Sequence, residues 1–198
     1  MRAIQKRSFS RTISLVLGIG LLVAGLYLLW TATNPLIKQQ LVDPVDNSTT
    51  KLIDDTANKI SANRLYIPKI DINLPYSTGG AETMESGAWW RMPENGNPKD
   101  GGNFVLSAHR FIMGLTPEQT WRKSPFYSID RLDVGDEIII DYDGQRYTYQ
   151  ISQKYAVTPT AVEIESRTDE PQLTLYSCTL GGAADGREVI VATPKERF

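Results

Sequence analysis

Two side chains that occur once each in this chain are the first candidates for chemistry. Cys178 is the sole cysteine among 198 residues, and His109 is the sole histidine. Each lies at the end of a short apolar, β-prone run, at residues 173–177 and 103–107. Strand ends are held by the sheet on one side and open to a loop on the other, which suits groups that must be both rigid and exposed. We therefore expect a site at these strand ends.

Arg187 is a third candidate, because it follows Cys178 by nine residues across a glycine-rich turn and opens another β-prone run. A hairpin there places the two residues opposite each other. The three residue types together suit acyl transfer: a thiolate attacks a carbonyl carbon, an imidazole moves a proton to and from an amine, and a guanidinium stabilises the oxyanion or fixes the substrate. Each residue alone also has an ordinary structural role. The alternative function is therefore a binding module in which Cys178 is merely packed.

The composition excludes some classes of function. Hydrophobic residues make up 41% of the chain and charged residues 22%, so we expect one globular domain and not a disordered polypeptide. The 21 basic and 23 acidic residues give a formal net charge of -2, with no basic stripe outside the first eleven residues. We expect no nucleic-acid partner. A single cysteine also excludes an intrachain disulfide.

The N-terminal segment predicts a membrane anchor. Residues 12–37 carry no charge, and residues 13–30 (ISLVLGIGLLVAGLYLLW) are almost entirely apolar. About 20 helical residues span a bilayer, whereas the apolar region of a cleaved signal peptide has about 7–15 residues. Basic residues, among them Arg2 and Arg11, precede the segment, so the positive-inside rule keeps the N-terminus in the cytoplasm. We predict a single-pass protein of the cell membrane with an extracytoplasmic domain.

Three regions follow from this pattern: a cytoplasmic tail and transmembrane helix at residues 1–33, an extracytoplasmic stalk at 34–63, and a catalytic domain at 64–198. The stalk is polar and rich in turn formers. In the domain, short β-prone runs alternate with glycine-containing turns, which predicts an all-β sandwich or closed barrel. The clearest turn is Asp143 and Gly144, a pair that accepts the positive φ angles of a two-residue hairpin. The β-prone runs are residues 65–67, 70–74, 103–107, 137–142, 146–151, 173–178 and 188–192.

Several stretches resemble sortases, a family of cysteine transpeptidases. Residues 174–178 (TLYSC) resemble the family's Thr-Leu-x-Thr-Cys signature, whose last position is the nucleophile. Residues 102–110 (GNFVLSAHR) are similar to the family's Gly-Asn…Gly-His-Arg segment. Arg187, followed by the sequence EVIV, matches the family arginine, and residues 65–70 (LYIPKI) are similar to the family's first strand. The resemblance covers about residues 64–193.

The resemblance implies a sortase-type closed β-barrel of about eight strands with short helices, preceded by one transmembrane helix. It implies that Cys178 attacks the Thr–Gly bond of an LPxTG-like sorting signal and forms a thioester. His109 then protonates the leaving amine, and Arg187 is the third catalytic residue. The implied partners are surface proteins with a C-terminal sorting signal, a cell-wall precursor or pilin amine that accepts the acyl group, and the membrane through residues 13–30.

Two positions depart from the family pattern without removing a functional group. Ser177 stands where threonine is usual and keeps the hydroxyl, and Ala108 stands where glycine is usual. Pilin-type members usually carry a lid with an Asp-Pro-aromatic motif, whereas here Asp43 and Pro44 are followed by Val45. The chain therefore resembles class D, class E or housekeeping sortases more than the pilin type.

An L,D-transpeptidase is a further alternative, but in that family an arginine usually follows the cysteine within a couple of residues. Here Thr179 and Leu180 follow Cys178. We expect no cofactor and no metal at the site. Calcium would take six or more oxygen ligands, and the acidic pair Asp169 and Glu170 is far short of that number. Four aromatic side chains are expected to pack and not to bind substrate: Trp89, Trp90, Phe111 and Trp121.

Overall fold

The structure, a computed structural model, describes residues 3–43, 48–56 and 60–195. Arg2 of the predicted tail, two short parts of the predicted stalk and residues 196–198 of the predicted domain lie outside this part of the chain. The boundaries of the three predicted regions stay predictions.

Helix α1 (Ala3–Leu41) continues beyond the predicted boundary at residue 33 and contains Pro35. By length and composition its stretch Arg11–Leu41 is able to cross a membrane, with a mean hydropathy of 2.3 in its apolar window. The apolar side chains of this window are exposed, whereas Thr31 and Pro35 are buried. The C-terminal part of α1 contacts a short helix, α3 (Pro117–Lys123). This contact joins the apolar helix to the rest of the protein.

The remaining described chain is built from short strands and helical turns. The strands are β1 (Arg64–Ile67), β2 (Ile72–Ser77), β3 (Ala88–Arg91), β4 (Gly96–Asn97), β5 (Gly101–Ser107), β6 (Glu137–Tyr142), β7 (Gln145–Val157), β8 (Gln172–Thr179) and β9 (Gly182–Pro194). The helices besides α1 and α3 are α2 (Ser48–Thr56) and the 3-10 turns Pro68–Ile70, Ala81–Glu85, Pro93–Asn95, Ile129–Arg131 and Val162–Glu165. Within the described residues the strands form one sheet in the order β3-β2-β1-β6-β7-β9-β8-β5-β4.

The sheet closes on itself because β3 pairs with β5 as well as with β2. Trp89 lies opposite Ser107, and Arg91 lies opposite Val105. The two-residue β4 pairs with the first two residues of β5, and β3 pairs with residues 105–107 along the same edge of β5. The closed ring therefore consists of the eight strands other than β4. The predicted all-β closed barrel of about eight strands with short helices is confirmed.

The hairpin predicted at Asp143 and Gly144 joins β6 to β7. Tyr142 pairs with Gln145 across the turn, and the two turn residues have φ angles of 49° and 73°. Positive φ at both central positions is the requirement of a type I′ turn, whose twist matches that of the flanking strands. The dipeptide therefore fixes the register of this hairpin.

Strand β3 is not visible in the sequence pattern, because both of its faces are covered. Trp90 points into the barrel, where its ring lies edge-on to Phe104 and Tyr142 at centroid distances of 5.2 and 5.7 Å. Trp89 lies on the outside, with the guanidinium carbon of Arg91 4.0 Å from its ring centroid. A strand that is covered on both faces shows no apolar–polar alternation.

The core fills the inside of the barrel, and alternation along the strands sends every second residue to the outside. Leu173 and Leu175 of β8 and Phe104 and Leu106 of β5 point inward and have no exposed surface. Each such side chain contributes about 1.5–3 kcal/mol by leaving water. The residues between them therefore lie on the outer face of the sheet, which is the face that carries Cys178.

Candidate active site

The parallel pairing of β5 with β8 brings His109 next to Cys178. Ser107, at the end of β5, lies opposite Tyr176, and the amide of Ala108 donates to the carbonyl of Tyr176 at 3.4 Å. His109 follows Ser107 by two residues, and Cys178 follows Tyr176 by two residues. Both therefore lie at the same end of adjacent strands and on the same face of the sheet. Parallel strands end at a common edge, and here that edge carries the imidazole and the thiol of the chain.

The antiparallel pairing of β8 with β9 places Arg187 directly opposite Cys178. Thr179 pairs with Gly182, so residues 183–186 are inserted into β9 as a bulge between these two pairs. The Nη1 of Arg187 donates to the carbonyl oxygens of Ala183 and Gly186, at 2.9 and 3.0 Å. The main-chain carbonyls of the bulge therefore hold the guanidinium of Arg187 in place.

Cys178, His109 and Arg187 line one cavity of about 580 Å³. The thiol residue is partly exposed, and 23% of the His109 side chain is exposed. The cavity is lined by Met84, Trp89, Arg91, Ser107, Ala108, His109, Arg110, Phe111, Ile112, Tyr176, Cys178, Thr179, Leu180, Gly182, Ala183 and Arg187. A thiol, an imidazole and a guanidinium thus line a shared space large enough for part of a peptide.

A carboxylate of the turn Ala81–Glu85 faces His109. The Oε1 of Glu85 lies 3.5 Å from the Nε2 of His109, and the Nζ of Lys123 donates to Oε2 at 3.3 Å. The hydrogen bond from Lys123 lowers the pKa of Glu85 below its ordinary value. On the main-chain side, the amide of Phe126 donates to the carbonyl of His109 at 3.1 Å. The imidazole is therefore held between a carboxylate and a fixed backbone.

A second polar network forms the wall of the cavity beside Cys178. Arg91 donates from Nε and Nη2 to the two carboxylate oxygens of Glu165, at 2.7 and 2.8 Å, and the hydroxyl of Tyr176 donates to the same carboxylate. Burial would raise the pKa of Glu165, but the bonds from Arg91 and Tyr176 outweigh it and leave that pKa below its ordinary value. Burial raises the pKa of Tyr176, so its hydroxyl stays a donor. The network links β3, β8 and the turn Val162–Glu165.

Several residues of the cavity and of the polar network beside it were not predicted. Trp89 and Phe111, expected to pack, line the cavity, whereas Trp90 packs in the core as expected. Tyr176 could have been found, because it precedes Cys178 by two residues and so shares its face of the strand. Glu165 gives no such signal, since it lies in a short 3-10 turn far from the motif.

The described residues include no group of three or more His, Cys, Asp or Glu side chains that could hold a metal ion. Asp169 and Glu170 are exposed in the connection between β7 and β8 and do not line the cavity.

Comparisons with known proteins agree on one family. The family model described as "Sortase domain" matches residues 65–195. Sortase A of Streptococcus agalactiae serotype III (strain NEM316) is 32% identical over 116 residues, which cover 58% of this chain and 45% of that protein. Sortase SrtE1 of Streptomyces coelicolor is 27% identical over 108 residues, which cover 50% of this chain and 28% of that protein. The matched part thus spans less than half the length of each of these curated relatives.

The fold is also shared with solved structures. A Clostridium perfringens Sortase D5 transpeptidase superimposes with a TM-score of 0.57 at 20% identity, covering 83% of this chain and 99% of that one. At this identity the likeness concerns the fold alone. Because the sortase domain model matches residues 65–195, well over half of the sequence, the chain belongs to the sortase family.

Proposed function

We propose that this chain is a membrane-anchored cysteine transpeptidase with Cys178 as nucleophile, His109 as acid and base, and Arg187 as the third catalytic residue. The observation that carries the proposal is the single cavity lined by all three side chains, each positioned by a different strand end. Family membership supports the activity, and one relative of the same fold is described as a transpeptidase.

In the proposed first step, the thiolate of Cys178 attacks the carbonyl carbon of a Thr–Gly bond in an LPxTG-like sorting signal. The C–N bond breaks, His109 gives a proton to the leaving amine, and a thioester forms. Arg187 stabilises the oxyanion or fixes the peptide carbonyl, since its Nη1 is tied to the bulge and its other N–H groups have no acceptor in the described part of the chain.

In the second step, an amine attacks the thioester carbonyl, His109 removes its proton, and the thiolate of Cys178 leaves. The amine belongs to a cell-wall precursor peptide or to a pilin lysine. The substrates are surface proteins with a C-terminal sorting signal. We propose a class D, class E or housekeeping type in preference to the pilin type, because Asp43 and Pro44 are followed by Val45 where the lid motif of pilin-type members has an aromatic residue.

The proposed topology places residues 1–33 as cytoplasmic tail and transmembrane helix, 34–63 as the stalk and 64–198 as the extracytoplasmic catalytic domain. Support comes from the apolar helix within Arg11–Leu41 and from the basic residues that precede it. A charge-free stretch of this length fits the thickness of a bilayer. With this topology the chain is a single-pass protein of the cell membrane.

The experiment is acyl-enzyme trapping. The full-length chain in detergent micelles is incubated with an LPxTG-type peptide and no acceptor amine, and its intact mass is measured. We expect an adduct on Cys178 that hydroxylamine discharges, because a thioester is open to attack by an amine. Cys178→Ala should abolish both adduct and cleavage, and His109→Ala should slow cleavage by about 10²–10⁴-fold.

Two results would contradict the proposal. Cleavage that persists in Cys178→Ala would exclude the covalent step. A folded protein that forms no adduct with any member of a broad peptide library, and whose thiol labels slowly with iodoacetamide, would favour the binding module with a packed Cys178. An adduct with a cell-wall tetrapeptide in place of a sorting signal would favour the L,D-transpeptidase alternative.

A further inference from the structure

The loop that follows the site histidine presents a row of apolar side chains to the outside. We call residues 111–115 the apolar loop; they connect the end of the β5 segment to α3. Phe111, Met113 and Leu115 are 38%, 46% and 83% exposed. The three side chains alternate with Ile112 and Gly114 along the loop, and each of the three is at least 38% exposed. Leu115 is the most exposed large apolar side chain that the structure describes.

Backbone groups of the apolar loop form hydrogen bonds with side chains of α3 and with Ser124, the residue that follows α3. These bonds mean that the loop is held in place although it has no regular secondary structure. They also mean that four of the ten backbone N–H and C=O groups of the loop already have partners within the protein, which lowers the cost of moving the loop into an apolar environment. The bonds run from the amide of Ile112 to Ser124 Oγ (3.0 Å), from Ser124 Oγ to the carbonyl of Ile112 (3.3 Å), from the amide of Gly114 to Thr120 Oγ1 (3.0 Å) and from the amide of Leu115 to Gln119 Oε1 (2.9 Å).

The apolar loop also touches the helix that is able to span a membrane. The hydroxyl of Tyr27 in α1 donates to the carbonyl of Leu115 at 2.8 Å. Further along α1, the Nζ of Lys38 pairs with Glu118 at 2.9 Å and lies 5.3 Å from the ring centroid of Trp121. Tyr27 and Lys38 are about 16 Å apart along the helix axis at 1.5 Å per residue. The contact at Leu115 therefore lies about 16 Å closer to the N-terminus of α1 than the contact at Glu118.

The position of Tyr27 sets the depth of the apolar loop. Residues 13–30 form the proposed membrane span, and Tyr27 lies about 4.5 Å inside its outer end at 1.5 Å per residue. Tyrosine at such a position belongs to the interfacial aromatic belt. Because its hydroxyl contacts the carbonyl of Leu115, that carbonyl lies at the level of the outer membrane interface.

We propose that the apolar loop docks into the outer leaflet of the membrane, with Phe111, Met113 and Leu115 at the boundary between headgroups and acyl chains. The proposal rests on the proposed transmembrane span and goes beyond it, since a span alone leaves the domain free to stand off the bilayer. The loop follows His109 directly, and Phe111 and Ile112 line the catalytic cavity. Docking therefore holds one rim of the cavity at the membrane surface.

The test uses the full-length chain reconstituted in vesicles of phosphatidylethanolamine and phosphatidylglycerol that contain lipids with a nitroxide on the acyl chain. A nitrobenzoxadiazole label is attached to a single new cysteine in a Cys178→Ala background. The labelled variants are Leu115→Cys, Leu21→Cys as the control for the span, and Val162→Cys as the control for an exposed position in the connection between β7 and β8. Leu21 and Val162 are both highly exposed, at 75% each.

We expect the nitroxide lipids to quench the labels at Leu115→Cys and Leu21→Cys, and to leave the label at Val162→Cys nearly unquenched. The Leu115 label should also emit at shorter wavelength than the Val162 label. Equal quenching at Leu115 and Val162, together with strong quenching at Leu21, would overturn the docking of the loop and keep the span. Absence of quenching at Leu21 would overturn the span and the docking together.

A second copy of the chain is the competing occupant of the apolar loop. It would shift the Leu115 emission to shorter wavelength without quenching by the nitroxide lipids, and this result would overturn membrane docking. A second variant extends the test: in Met113→Asp the charge opposes insertion. We expect the Leu115 label to lose most of its quenching in that variant, and unchanged quenching would contradict the proposal.

Discussion

Replacement of Glu165 by glutamine tests whether the wall of the cavity is held by charge. The side chain of Glu165 is 9% exposed and that of Arg91 is 21% exposed, and the pair is bidentate at 2.7 and 2.8 Å. Glutamine keeps the size and one acceptor oxygen but leaves the guanidinium without its counter-charge. We expect Glu165→Gln to fold with a weakened link between β3 and β8.

The magnitude follows from the number of charged bonds and from burial. A hydrogen bond to a charged group is worth about 1.5–3 kcal/mol, and removing one partner of a fully buried pair costs about 3–5 kcal/mol. Arg91 keeps a path to water and glutamine retains part of one bond, so the expected loss lies below that of a fully buried pair. We expect the free energy of unfolding to fall by about 2–3 kcal/mol at pH 7.

The assay is urea unfolding of the full-length chain in micelles, followed by tryptophan fluorescence at several pH values. Since the folded-state pKa of Glu165 is lowered, its stabilising contribution is present above the unfolded-state pKa of about 4.3 and is lost as the pH falls through the folded-state pKa. The difference between wild type and Glu165→Gln should therefore be full at pH 7 and shrink below about pH 4.

The matched control is Glu137→Gln, which removes an exposed carboxylate paired with Lys195. Their side chains are 45% and 47% exposed, so the expected loss is about 0–1 kcal/mol. An unfolding midpoint of Glu165→Gln equal to that of wild type would refute the assignment of Glu165 as a structural charge. A difference that grows on acidification would refute the sign of its pKa shift.

Three further predictions concern the site, the turns and the topology. Arg187→Lys should keep the fold and lower kcat by about 10²–10³-fold, because lysine lacks the planar fork that directs hydrogen bonds, whereas the exposed Arg167→Lys should match wild type in peptide cleavage. Gly144→Ala should lower the free energy of unfolding in urea by about 1–2 kcal/mol, since alanine must then adopt a backbone φ of 73° but meets no neighbouring atom. Gly102→Ala should cost more, because its Cβ would lie 2.3 Å from a main-chain oxygen, and an equal loss would contradict this. Protease added to intact cells should digest the domain; protection there would reverse the topology predicted from residues 13–30.

The closed barrel and the turn between β6 and β7 could be predicted because their signals are local. Asp143 and Gly144 specify their turn by backbone preference alone, and the structure confirms it. The proximity of Cys178 and Arg187 also follows from a short hairpin, although the bulge that holds the guanidinium does not. The catalytic roles of these residues stay predictions.

The wall of the cavity could not be predicted, because its parts meet only through the closed sheet. Arg91 lies on a strand without alternation, and Glu165 lies in a single 3-10 turn. Their pairing depends on the registers of β3 with β5 and of β5 with β8, which no local pattern specifies. The carboxylate beside His109 is hidden for the same reason, since Glu85 ends a turn that the sequence does not mark.

The position of β9 between β7 and β8 affects the order of events during synthesis. β9 follows every other strand in the chain, so the ring of strands cannot close until residues 182–194 have been made. Pairing between strands distant in sequence is slow, and a ribosome adds about 5–20 residues per second. His109 is therefore synthesised several seconds before Cys178, and neither side chain lies in a formed cavity at that time. A polypeptide that is cut short before β9 keeps both groups but cannot bring the guanidinium or the closed barrel to them.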